Sequence, residues 1–246
     1  VAAMTPQFEK GTWGLLQPGC FLPFFNCYTS QETYIDGEVP KTPFPLNPEW
    51  AADFKRIQDA LKEGLSVFDP DALCHPAGIP YKLRSGNFTF SFQENRIYVI
   101  WGGLLDYRVI HMDGRKIPTV DPVMYTYNGY SVGRWEGNTL VVETRNLRGA
   151  DTQIGPHVPK SDNFWVVERY TPVSTELMDF EITMKDEDRW TAPYTEKYQI
   201  RRNPEGELTP QSACISGAGQ RYEPDPVTGA MTMTGPGGVA LEQAEE

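Results

Sequence analysis

No stretch of this chain approaches the roughly 20 consecutive apolar residues that a membrane-spanning helix needs; the longest apolar runs are pieces such as Ile97-Tyr98-Val99-Ile100-Trp101. Basic charge is also scarce, 22 Lys and Arg against 33 Asp and Glu, for a formal net charge of −11. Affinity for nucleic acid comes mainly from clustered Lys and Arg that displace counterions, so no nucleic-acid partner is expected. There is no Gly-x-Ser-x-Gly elbow and no nucleotide-binding glycine loop; Gly102-Gly103 follows a strand with no helix after it. No Cys-x-x-Cys pair suggests a zinc ribbon or a thioredoxin-type centre. Asp186-Glu187-Asp188 lacks the glycine and the distal glutamate of a calcium loop and reads as a solvated turn. The three histidines, His75, His111 and His157, stand in separate segments with no close ligand spacing. Neither a metal nor a cofactor is expected.

What the chain does have is β-pattern. Of its 246 residues, 39 % are apolar and 12 % aromatic, enough for a core and suited to pleated, half-buried surfaces. The stretch from Gly129 to Asn146, GYSVGRWEGNTLVVETRN, writes a hairpin in local signals: alternation through Tyr130, Val132 and Arg134, a turn at Glu136-Gly137-Asn138, then the β-branched Thr139-Leu140-Val141-Val142. Similar patterns predict eight strands at Phe88–Phe92, Arg96–Trp101, Arg108–Met112, Tyr130–Trp135, Thr139–Arg145, Phe164–Tyr170, Glu176–Lys185 and Thr195–Arg202. The expected fold is mainly β, an antiparallel meander closed into a barrel, because closure removes exposed strand edges. One helix is expected over Asn47 to Gly64, capped by Asn47 and Pro48, with Trp50, Phe54, Ile57 and Leu61 as a core-facing stripe. Residues 1–46 read as an ordered arm rich in Pro and aromatic residues, 47–222 as the helix and barrel, and 223–246 as a tail.

The four cysteines, Cys20, Cys27, Cys74 and Cys214, suit disulfides. Cys20 with Cys27 would close a short loop and Cys74 with Cys214 would tie the flanks of the β region; four reduced thiols in a cytosolic protein are the alternative. The start at Val1-Ala2-Ala3-Met4 suits a mature product after signal removal, so a periplasmic or secreted location is expected.

The run from Arg108 to Thr144, with Met112-Asp113-Gly114-Arg115 and then Ser131-Val132-Gly133-Arg134-Trp135-Glu136-Gly137-Asn138-Thr139-Leu140-Val141-Val142-Glu143-Thr144, resembles a family of uncharacterised exported bacterial proteins. The likeness extends to Leu46–Trp50, to Cys74 with Pro76-Ala77-Gly78-Ile79-Pro80, to His157, to Val167-Glu168-Arg169-Tyr170 and to Cys214. It implies a lipocalin-like barrel and a cysteine pair at Cys74 and Cys214, and it carries no established activity. This chain departs from the family in having Gly129-Tyr130-Ser131 where the pattern is Gly-His-Ser, and His75 where an apolar residue is usual.

Two candidate sites follow from the residues. His111, Asp113, Tyr130 and Arg134, with Arg108, Arg115 and His157, form a constellation in which a histidine beside a carboxylate can act as a base and Tyr or Arg can stabilise an oxyanion. The plainer reading makes Asp113-Gly114 a hairpin turn and pairs Arg115 and Arg134 with acids on the barrel rim. Trp101, Tyr107, Tyr127, Trp135 and Trp165 are candidate walls of a ligand cavity, against the ordinary role of core packing. The leading expectation is an exported barrel that binds a small apolar or aromatic molecule in its interior, with cofactor-free lyase or isomerase chemistry at the mouth as its enzymatic form. The alternative is a non-catalytic extracytoplasmic subunit that docks a protein partner through its tail and the Phe-rich arm around Phe21, Phe24 and Phe25.

Overall fold

A computed structural model of the chain describes residues 11–15, 44–62, 75–76, 78–84, 87–102, 106–149, 153–155, 158–208, 221–224 and 231–234. Cys20, Cys27, Cys74, Cys214 and His157 lie outside these residues, as do the three arm phenylalanines. In chain order the strands are β1 (Thr12–Leu15), β2 (Phe88–Gln93), β3 (Arg96–Trp101), β4 (Tyr107–His111), β5 (Tyr130–Glu136) and β6 (Thr139–Arg145). There follow β7 (Gln153–Gly155), β8 (Val158–Pro159), β9 (Phe164–Pro172), β10 (Leu177–Asp186), β11 (Tyr194–Asn203), β12 (Arg221–Pro224) and β13 (Met231–Thr234). Nine of them close a barrel in the order β1-β11-β10-β9-β6-β5-β4-β3-β2, and β7-β8 and β12-β13 make two small separate sheets.

Period-two alternation explains the wall. Along β9, Phe164, Val166, Glu168 and Tyr170 are buried while Trp165, Val167 and Arg169 are half-buried, as expected where one face meets a core. Between β5 and β6 the tight turn needs a positive φ, supplied by Gly137 at 60°.

The barrel is mixed, not the antiparallel meander expected. First, β1 comes from the N-terminal arm: its four residues pair with β11, and Trp13 meets Phe88 of β2. Second, β4 and β5 run parallel, with Ile110 beside Ser131 and His111 beside Val132. Parallel neighbours need a long crossover, and the chain from Met112 to Gly129 provides it; Asp113-Gly114 therefore does not close a hairpin. Third, β6 pairs directly with β9, passing over β7 and β8. Beyond Arg202, where the last expected strand ends, β12 and β13 pair with each other.

The helix α1 (Pro48–Lys62) starts as expected, with the Trp50 backbone N–H donating to Asn47 Oδ1 at 2.8 Å. Its apolar stripe is not core: Trp50, Phe54 and Ile57 are each half-buried. The helix is fastened near its first turn, where Asn47 Nδ2 donates to the Asp188 carbonyl at 2.8 Å and the Arg189 guanidinium lies 3.8 Å from the Trp50 ring centre.

Large side chains fill the described part of the bore. Trp13, Phe90, Trp101, Phe164 and Tyr170 are at most 1 % exposed, and Phe90 meets both Trp13 and Tyr170 edge-on. Among them lies a charged pair that spans the barrel. Arg108 of β4 donates through Nη1 to Glu168 Oε1 of β9 at 2.7 Å and through Nη2 to Oε2, while the Tyr170 hydroxyl donates to Glu168 Oε2 at 2.5 Å. Burial opposes the charge on Arg108, but Glu168 and Tyr170 outweigh it and hold the guanidinium above its ordinary range. Burial first, and then the Glu168 charge, push the Tyr170 hydroxyl well up, so it remains a donor. The Trp101 ring, 5.8 Å from the guanidinium carbon, adds a cation–π contact.

Removing one member of such a pair strands the other charge. Glu168→Gln should cost about 3–5 kcal/mol of unfolding free energy in urea, whereas Arg108→Met with Glu168→Leu should cost clearly less than the two single losses summed; additive losses would show that the pair is not coupled.

Glu196 of β11 also faces the core, 5 % exposed beside Tyr194, and among the described residues neither carboxyl oxygen has a hydrogen-bond partner of good geometry. Burial pushes this carboxyl up to about 8, with Tyr194 opposing weakly. A folded-state value above the unfolded one means that the native state holds the extra proton, so this contribution to stability is present below about pH 4.5 and is lost as pH rises through about 8. Glu196→Gln should therefore flatten the fall in stability between pH 5 and 8 in chemical denaturation, with the variant's advantage largest at the alkaline end; parallel curves would refute it.

Candidate functional site

The parallel pairing of β4 and β5 spans only two residue pairs. Towards the start of β4, that strand and the segment entering β5 diverge and leave a hollow of about 390 Å³. Gly129, at φ 64°, lets the chain enter β5 here, since a Cβ at this position would lie 2.5 Å from the Arg145 carbonyl oxygen. Farther along, Gly133 admits the start of the crossover, since a Cβ there would meet Met112 Sδ at 2.4 Å.

His111 and Tyr130 lie on adjacent strands with their side chains on the outer wall. Their rings stack at 4.9 Å between centres and 23° between planes. Beyond them Arg115 folds back: its Nε donates to the two Asp113 carboxylate oxygens at 2.8 and 3.0 Å, its Nη2 donates to Asp113 Oδ2 at 2.5 Å, and its Nη1 donates to the Tyr130 hydroxyl at 3.3 Å. Arg115 holds the Asp113 carboxyl down at about 2. Partial burial, and then the Arg115 charge, lower the His111 imidazole below its ordinary value, against the pull of Asp113. The lowering favours the uncharged imidazole, the form able to accept a proton.

The floor of the hollow is polar. Asn128 Nδ2 donates to Asp106 Oδ1 at 2.8 Å and to the Tyr107 carbonyl at 3.1 Å. Among the described residues, Asp106 Oδ2 and Asn128 Oδ1 are buried with no hydrogen-bond partner, an arrangement that costs free energy unless something supplies the missing bonds.

Of the expected catalytic set, His111, Asp113 and Tyr130 come together, joined by Arg115. Arg134 does not join them: it donates to Glu136 at 2.9 and 2.6 Å, and Glu136 also accepts from Arg169 at 2.8 Å, the rim network of the plainer reading. The five expected aromatic walls separate. Tyr107, 59 % exposed, and Tyr127 line the hollow. Trp101 is sealed in the core and Trp135 packs half-buried against it. Trp165 is held on the outer wall, its indole N–H donating to Glu187 at 2.7 Å under the Arg145 guanidinium.

Sequence reasoning missed Asp106 and Asn128. Both sit in loops without periodicity, and the only local signal is the turn-like Tyr127-Asn128-Gly129. Across the His111–Tyr130 stack lies a second hollow of about 550 Å³, bounded by residues 114–120 of the crossover and the outer faces of β5 and β6.

No protein-family model, curated protein or solved structure matches the chain. Among the described residues no group of three or more His, Cys, Asp or Glu is placed to hold a metal ion.

The neutral imidazole is testable. An NMR titration should place the His111 midpoint below 6.5, with the signal assigned by its loss in His111→Gln, and Arg115→Gln should move it upward. A midpoint at or above 6.5 would overturn the electrostatic account.

Proposed function

We propose that the protein binds a small aromatic ligand bearing a hydrogen-bonding group, in the hollow between β4 and β5. The observation that carries this reading is one concavity with aromatic walls, Tyr107, Tyr127 and the His111–Tyr130 stack, above a floor of polar atoms that lack partners. The described bore is filled by side chains, so the reading sets the ligand in the barrel wall and not along its axis. A neutral imidazole next to the ligand would also accept a proton, and Tyr130, polarised by Arg115, would stabilise the negative charge left behind. That is the chemistry required of a cofactor-free lyase or isomerase, which is the enzymatic form of the proposal. An extracytoplasmic location belongs to the same reading and rests on the four cysteines. The alternative of a docking subunit rests on the arm, most of which lies outside the described residues.

Titration with N-phenyl-1-naphthylamine, an uncharged fluorescent aromatic probe, tests the site. Wild type should bind it with saturation, and Tyr127→Ala and Tyr107→Ala should each weaken binding by roughly tenfold, while Val173→Ser, on an exposed turn, should leave it unchanged. Equal affinities in all four proteins, or no saturable binding, would overturn the proposal.

A further inference from the structure

The larger hollow carries charge of the opposite sign to the molecule. Arg115, Lys116, Arg134 and Arg145 line it with one carboxylate, Glu143, in a chain whose formal net charge is −11. Counting the partners that these side chains touch adds Asp113 and Glu136, so four cations face three carboxylates among the described residues. Two of the cations keep donors to spare. Among the described residues Lys116 makes no hydrogen bond or ion pair, and Arg145 uses only Nε, donating to Glu143 at 2.7 Å, while its guanidinium rests over Trp165. The others are held in place, Arg115 by Asp113 and Arg134 by Glu136, so for these two little ordering would remain for binding to impose. Ile117, Val120, Val132 and Tyr125 supply the apolar walls.

From this we infer that the second hollow is an anion subsite, which takes a carboxylate or phosphate group carried by a small, partly apolar molecule. Its size matches a small-molecule pocket, whereas a nucleic acid would meet the acidic remainder of the surface. The inference deepens the proposed ligand-binding function and rests on it for the aromatic part of the ligand, since Arg115 and Tyr130 form the partition between the two hollows. The guanidinium and ammonium groups act as permanently charged donors and need no proton transfer.

The test compares N-phenyl-1-naphthylamine with 8-anilinonaphthalene-1-sulfonate, the same fused-ring amine with one sulfonate added. The sulfonated probe should bind wild type roughly tenfold more tightly, an advantage that shrinks as salt is added. Lys116→Glu, at an exposed residue with no partner to lose among the described residues, should weaken the sulfonated probe by roughly fivefold to tenfold and leave the neutral probe unchanged, and Lys116→Arg should retain wild-type affinity. Benzoate and phenyl phosphate as competitors then distinguish a carboxylate from a phosphate ligand by which displaces the probe at lower concentration. Equal affinity for the two probes, indifference of the sulfonated probe to Lys116→Glu, or failure of both competitors would overturn the anion subsite. Indifference of the neutral probe to Tyr127→Ala sinks only the aromatic site, so the two failures are read separately.

Discussion

Two neighbouring strands that run the same way cannot be joined by a tight turn, and this constraint at β4 and β5 shapes most of what is distinctive in the molecule. The chain must leave the sheet at Met112, travel along the outside and re-enter beside its own starting end at Gly129. The excursion holds Asp113 and Arg115 against Tyr130, lays residues 114–120 across the outer wall, and brings Asn128 to Asp106. An antiparallel hairpin at the same place would have left His111 and Tyr130 on a bare sheet face with neither hollow beside them.

The same short pairing asks for support from within. With only two residue pairs joining β4 to β5, the seam is the shortest ladder between β3 and β9, and the Arg108–Glu168 pair reaches past it, from β4 to β9, on the inside. Ser131 and Thr144 add a hydrogen bond of 2.8 Å between β5 and β6 on that inner face. Buried charge is an expensive fastening compared with apolar packing, but its bidentate geometry fixes the relative placement of the two strands more strictly than a methyl contact does. A site built on β4 and β5 benefits from that strictness, since the rings of His111 and Tyr130 keep their stack only while the strands keep their register.

How much of this was legible in the residues depends on the range of the signal. Alternation and turn residues act over a few positions, and the eight long strands of the barrel stand within a residue or two of where the pattern put them. The strand Thr12–Leu15 carried no such signal, because four residues among prolines and glycines hold too few alternations to register. The direction of β5 relative to β4 was not written locally at all; it depends on what the crossover packs against. The clustering of His111, Asp113, Arg115 and Tyr130 could be anticipated because those residues crowd the ends of two predicted strands, whereas Arg134, on the same outward phase as Tyr130, lies nearer to Glu136 and Arg169. One signal was available and unused: Glu168 stands in phase with Phe164, Val166 and Tyr170, and an acid on an inward phase demands a buried cation, which Arg108 on the inward phase of β4 provides.

The closing strand has a consequence for synthesis. Thr12 lies opposite Asn203 across the β1–β11 ladder, so the first of the described barrel strands along the chain has no ladder partner on that side until nearly the whole barrel has been made. Until then the edges of β1 and β10 that β11 will cover are open, and Trp13, which ends fully enclosed, is an exposed indole on a nascent chain. The order of manufacture and the order of closure are opposed in this protein, and the interval between them is when it most resembles a substrate for a chaperone.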